Sequence, residues 1–141
     1  MDKLFTYGSL MCEDIMSMVV GRTLSYCKAV LPDYLRYKIR NEQYPGVIQV
    51  SGGLVEGVVY QGIETRQWER LDRFEGDIYS RCRVLITYPA GSEDMVGCYV
   101  VKPEHRHMLT EEAWDFETFL RRGKSIFQTR FMGFKDIAQE I

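Results

Sequence analysis

Leu4-Phe5-Thr6-Tyr7-Gly8-Ser9-Leu10-Met11 passes from strand-forming to turn-forming to helix-forming residues within a few positions. Leu4, Phe5 and Thr6 suit a strand, Gly8 and Ser9 break it, and a helical pattern begins near Met11. A strand-turn-helix of this kind presents backbone N–H groups at the positive end of a helix, with the Ser9 hydroxyl beside them. Small carboxylates and phosphates bind such turns. The same residues also serve as a bare permissive turn and N-cap, so the turn becomes a site only if the chain brings chemistry to it.

The totals restrict where that chemistry comes from. At 141 residues the chain has the length of one domain with a proper core, and 45% hydrophobic against 27% charged residues marks a folded protein. Eighteen basic and twenty acidic residues give a net charge of −2, which offers no footing for nucleic acid. Asp2, Glu13 and Asp14 interrupt the early apolar residues, so no signal peptide or membrane span is expected, and the cytoplasm is the default compartment. Cys12, Cys27, Cys82 and Cys98 form no CxxC pair and read as free thiols. Cys12 lies close enough to the turn to be weighed as a nucleophile, but only His105 and His107 could serve it as base. The pair His105 and His107 lacks a third ligand nearby and reads as a polar loop. No phosphate loop, dinucleotide fingerprint or metal motif is present, so no cofactor is expected.

Outward from the turn, Glu13 to Val20 reads as a short helix closed by Gly21, and Ser25 to Ile39 as extended chain broken at Pro32. Asn41 to Gly46 is a loop. Val47 to Val50 reads as a short strand and Ser51-Gly52-Gly53 as a hairpin turn leading into a central strand, Leu54 to Tyr60, with Gly57 inside it. Thr65 is placed as N-cap of a helix Arg66 to Phe74, with Trp68, Leu71 and Phe74 on one face. Two more strands are expected at Tyr79 to Tyr88 and Met95 to Val101, joined by Pro89-Ala90-Gly91-Ser92. The pattern is α+β with a curved or barrel-like sheet: a barrel core over about 1–103 and a C-terminal helical extension over about 108–141, in one domain. In that extension Thr110 is expected to cap a helix closed by Gly123, and Ser125 to cap a second one bearing Phe127, Phe131 and Phe134, interrupted at Gly133. So much aromatic surface should pack on the barrel or make a homodimer.

Glu75 is the residue that lifts the turn above a bare turn. It falls at the C-terminal end of its helix, where carbonyls carry negative charge, with Asp72 three residues back. Both raise a carboxyl pKa, and burial would add to them, which is what a proton shuttle needs. The plainer alternative is a solvated glutamate at a helix end capped by Gly76.

Phe5-Thr6-Tyr7-Gly8-Ser9-Leu10, Tyr44-Pro45-Gly46, Gly57-Val58-Val59-Tyr60 and Leu71-Asp72-Arg73-Phe74-Glu75-Gly76 with Tyr79-Ser80-Arg81 stand in register over about residues 4 to 101. Together they resemble the gamma-glutamylcyclotransferase-like superfamily, nearest the branch of small gamma-glutamylamine cyclotransferases and avirulence-induced plant proteins. The resemblance implies a small mixed β-barrel with flanking short helices, Tyr7, Gly8, Ser9 and Leu10 as the glutamyl-binding loop, and Glu75 as general acid/base. It also points to Tyr99 as a site tyrosine. The implied partner is a small γ-glutamyl compound, with neither nucleic acid nor membrane. The implied reaction is attack of the substrate α-amine on the γ-glutamyl carbonyl, giving 5-oxoproline and a free amine. A non-catalytic binding module on the same fold is the alternative. The aromatic region from about Trp114 is less typical of compact members and is expected to line one wall of the pocket.

Overall fold

The computed structural model describes residues 1–138. In chain order it runs β1 (Leu4–Thr6), a 3₁₀ turn (Ser9–Met11), α1 (Glu13–Val20), β2 (Tyr26–Ile39), β3 (Pro45–Tyr60) and α2 (Thr65–Glu75). It continues with β4 (Tyr79–Thr87), β5 (Glu93–Val101), a second 3₁₀ segment (Pro103–Met108) and β6 (Leu109–Ala113). Last come α3 (Phe116–Thr118), a π-helical turn (Phe119–Gly123), α4 (Lys124–Arg130) and α5 (Met132–Ala138).

The strands follow the order β3-β1-β5-β4-β2-β6, and β2 also pairs with β3, so β1 to β5 close into a barrel with β6 appended to β2. The barrel is mixed, because β1 runs antiparallel to β3 (Phe5 opposite Val59) and parallel to β5 (Leu4 opposite Gly97). Closure removes the unpaired edges of these strands. It also explains why β1 and much of β5 read as continuous apolar runs. Phe5, Val96 and Cys98 point into the barrel with Leu31, Val59 and Ile86, whereas Leu4, Tyr99 and Val101 point outward under α1 and α2. Both faces are therefore buried.

Two sequence expectations give way to longer elements. Ser51-Gly52-Gly53 is not a hairpin turn but part of the interior of β3, which is 16 residues long. Asp33 on β2 has φ 65°, Gly52 opposite has φ 82°, and the Gly52 N–H donates to Asp33 Oδ1 at 2.9 Å. Turn-forming residues here build a bulge across two strands, shifting the register between Pro32 and Tyr34. Pro32 accordingly marks that bulge and not the end of a strand. The chain reverses at Asn41 (φ 62°), between Ile39 and Tyr44.

At α2 the N-cap is Glu64, one residue before Thr65. A capping box with Gln67 satisfies both ends of the pair and explains the displacement. In the C-terminal region Thr110 caps no helix. It sits in β6, where Ile39 pairs with Leu109 and Tyr37 with Ala113, and its hydroxyl donates to the Lys38 carbonyl at 2.8 Å. The helical run begins instead after Asp115, whose carboxylate accepts from the Thr118 amide. It passes through Gly123 and Ser125 without stopping, by way of the π-helical turn, and breaks only at Phe131, which has ψ 123°. The end of the expected extension, residues 139–141, lies outside the described residues. The aromatic surface is laid on the barrel side of the same chain: Phe127, Phe131 and Phe134 all make edge contacts with Phe74. Among the described residues no helix is long and apolar enough to cross a membrane.

Gly57 shows how tightly β1 seats in this frame. A Cβ there would lie 2.2 Å from the Thr6 carbonyl oxygen and 2.6 Å from the Phe5 ring. Backbone cannot yield as a side chain does, so Gly57→Ala is expected to cost about 3 kcal/mol. Urea unfolding should show a lower midpoint with an unchanged slope.

Candidate active site

The strand-to-helix turn differs from its expected form in one respect. Helix α1 starts at Glu13, and the turn itself is the 3₁₀ segment, closed by Met11 N–H to Gly8 O (3.0 Å) and Cys12 N–H to Ser9 O (3.1 Å). The amides of Gly8, Ser9 and Leu10 precede the first of these bonds and so have no acceptor inside the turn. Their capacity to bind an anion rests on those unpaired donors and owes nothing to the dipole of α1.

The turn is held from three sides. Arg36 Nη1 donates to the Tyr7 carbonyl (2.8 Å), the Tyr60 hydroxyl to the Leu10 carbonyl (2.8 Å) and the Tyr7 hydroxyl to the Tyr99 carbonyl (2.6 Å). Tyr7 therefore spends its phenol on the scaffold and not on a ligand. Pro45 abuts Gly8 and is fixed in turn by the Tyr79 hydroxyl, 2.6 Å from its carbonyl.

Tyr7, Gly8, Ser9, Leu10 and Glu75 line one cavity, together with Tyr44, Pro45, Tyr79 and Tyr99. Glu75 reaches it because α2 ends at that residue, while Trp68, Leu71 and Phe74 on the buried face set the helix's rotation. Burial, and secondarily the charge of Asp72, push the Glu75 carboxyl from 4.5 up to about 8. Glu75 is half-buried and Ser9 buried, and among the described residues no buried side-chain nitrogen or oxygen is left without a hydrogen-bond partner, so both groups are read as opening onto the cavity.

Sequence reasoning did not foresee what anchors Asp72. Its carboxylate accepts from the Tyr99 hydroxyl (2.7 Å) and pairs with Arg81 (3.1 Å), whose guanidinium lies over the Trp68 ring at 4.6 Å. Tyr99, indicated by resemblance alone, thus joins the cavity wall to the helix that carries Glu75. Its phenol and those of Tyr44 and Tyr79 are pushed up, chiefly by burial, and remain neutral donors. The Arg36 contact was likewise unforeseen; an arginine within an alternating strand gives no sign of its target. The aromatic residues Phe127 and Phe131 complete the cavity on its remaining side, as expected of the C-terminal region.

The other nucleophile and metal candidates fall away. Cys12 is buried outside this cavity, and burial pushes its thiol up to about 11, leaving little thiolate near neutrality. His105 and His107 lie 6.3 Å apart, ring to ring, on the second 3₁₀ segment. Among the described residues no three His, Cys, Asp or Glu side chains cluster as metal ligands.

Comparison with known proteins places this architecture. The family model for gamma-glutamyl cyclotransferase, AIG2-like, matches residues 4–116. AIG2-like protein D of Arabidopsis thaliana is 31% identical over 144 aligned residues, covering 100% of this chain and 91% of the relative. AIG2-like protein A of the same plant is 32% identical, over 91% of this chain and 78% of its own length. A solution structure of an Arabidopsis thaliana protein superposes with a TM-score of 0.71 at 28% identity, covering 91% of this chain and 78% of that one. A crystal structure of an AIG2-like protein from Mus musculus shares the fold, with a TM-score of 0.63 at 20% identity over 82% and 88% of the two chains. The matched span runs from the first residue of β1 to the start of the C-terminal helices and takes in both the Tyr7–Leu10 turn and Glu75, and on this evidence the chain belongs to the gamma-glutamyl cyclotransferase, AIG2-like family.

Proposed function

We propose that this cavity converts a γ-glutamyl amide into 5-oxoproline and a free amine, with Glu75 as the proton shuttle and the Tyr7–Leu10 turn as the glutamyl-binding loop. The observation that carries the reading is the Glu75 carboxyl, raised to about 8 by burial, lining the same cavity as the Tyr7–Leu10 turn. The substrate α-carboxylate takes hydrogen bonds from the donors of that turn, which leaves its α-ammonium within reach of Glu75.

Ionised Glu75 accepts one proton from the α-ammonium. The freed amine attacks the γ-carbonyl carbon, forming a C–N bond and a tetrahedral centre. Glu75 then delivers its proton to the leaving nitrogen as the old C–N bond breaks, takes up the remaining excess proton of the ring nitrogen, and passes it to the released amine, which departs as an ammonium and leaves Glu75 ionised again. Holding both ends of one molecule close replaces an encounter, which is where most of the acceleration arises. A carboxyl half-ionised near pH 8 is suited to both halves of the exchange.

The test is release of 5-oxoproline from a panel of γ-glutamyl amides by the purified protein. Product from at least one amide is expected. Calorimetric binding without product across the panel would replace turnover by a binding role.

A further inference from the structure

The cavity measures about 30 Å³, room for one or two water molecules. Ligand pockets run to roughly 300–1,000 Å³, so a γ-glutamyl amide enters only if a wall gives way. The walls are unequal. The turn and Pro45 are each held by the hydrogen bonds from Tyr60, Arg36 and Tyr79 described above. Phe127 and Phe131 are held by apolar packing, stacked at 4.7 Å on one another with Tyr44 and Phe74 at their edges, and of the two Phe131 is the less buried.

Phe127 and Phe131 also line a second cavity of about 150 Å³, together with Asn41, Glu42, Gln43 and Arg130. The same two residues thus border both spaces. The segment that bears them is pinned on either side. Lys124 at the start of α4 pairs with Asp14 at 2.8 Å. At the other end Gly133 lies so close to the Phe74 carbonyl that a Cβ there would stand 2.2 Å from its oxygen. Between these pins, Phe131 is the extended residue separating α4 from α5. A ring on such a junction can turn without unwinding either helix.

We propose that Phe131, backed by Phe127, is a displaceable partition that determines the size of the leaving amine: turning the ring joins the cavity at the turn, where the glutamyl half seats, to the second, polar cavity, which receives the amine. The proposal rests on the cyclotransferase reading for its substrate and on the two-sided partition for its geometry. Each amine then bears the cost of moving the ring according to its length.

The experiment compares γ-glutamyl n-alkylamides from methyl to hexyl on the wild type, Phe131→Ala and Phe131→Leu, and measures calorimetric binding of the same amides to Glu75→Gln with and without Phe131→Ala. The ratio of kcat/KM for hexylamide to that for methylamide should rise about tenfold or more in Phe131→Ala, with Phe131→Leu intermediate. A ratio unchanged in both variants, or a fall shared equally by all amides, overturns the partition. If Phe131→Ala does not fold, Phe131→Leu carries the comparison. If the wild type turns over none of the amides, the cyclotransferase reading falls, and the binding arm decides the partition. A length-dependent gain in affinity on removing the ring supports it, and uniform or absent binding overturns it as well.

Discussion

Glu75→Gln is expected to release 5-oxoproline about 10²- to 10⁴-fold more slowly than the wild type, the range for loss of a positioned acid/base, and yet to be the more stable protein in alkaline solution. Both effects come from one cause. Burial, and then the charge of Asp72, hold the folded-state carboxyl at about 8 against an ordinary 4.5. Between those pH values the native state binds more protons than the unfolded state, so wild-type stability falls as pH rises from about 4.5 to about 8 and levels off above. Glutamine keeps the shape and carries no charge. Its advantage should be absent near pH 4 and on the order of 5 kcal/mol at pH 8.5. Urea unfolding of both proteins at the two pH values measures it. In the wild type the acid limb of kcat/KM should have its midpoint near 8, because the base form of Glu75 must be present for the first proton transfer. A variant that is inactive and less stable than the wild type at every pH would be a damaged fold and not a missing proton shuttle.

Gly8→Ala carries the second large effect. A Cβ at Gly8 would lie 2.8 Å from Pro45 Cδ and 3.0 Å from Pro45 Cγ. The proline ring cannot rotate away, and the Tyr79 hydroxyl holds its carbonyl. The turn must therefore shift, taking the Ser9 and Leu10 amides with it. Displacements of an ångström at a positioning element cost about 10²-fold. We expect a loss of that order in kcat/KM, borne mainly by KM, because the glutamyl end is misplaced while Glu75 is untouched. Steady-state kinetics separate the two constants, and an unchanged KM would remove the turn from substrate binding.

The chain announces its candidate site more plainly than its longest strands. Tyr7, Gly8, Ser9, Leu10 and Glu75 were legible because a turn at the end of a strand and an acid at the wrong end of a helix are local features, each visible within a few residues. Their meeting at one cavity is not local and depended on the motifs standing in register. The β2–β3 ribbon was misread for a related reason. Gly52 and Asp33 lie 19 positions apart and bulge against one another, and a glycine pair looks the same in sequence whether it reverses a strand or bends it. Thr110 followed by two glutamates has every mark of a helix start, but the open edge of β2 near Ile39 claims the segment as a strand. Tertiary pairing outweighs local propensity there. The aromatic C-terminal residues were visible as an excess of apolar surface. Which side of Phe74 they cover could only come from the fold.

A titration of the Glu75 carboxyl, followed by carbon-13 NMR in glutamate-labelled protein with Glu75→Gln to assign the signal, speaks most directly to whether the acid and the turn share one cavity. The midpoint should lie near 8 in the free protein and should move when 5-oxoproline, which bears the carboxylate meant for the Ser9 amides, is added to saturation. A midpoint near 4.5 that 5-oxoproline leaves unchanged would place Glu75 in open solvent, apart from any ligand, and contradict the proposed site.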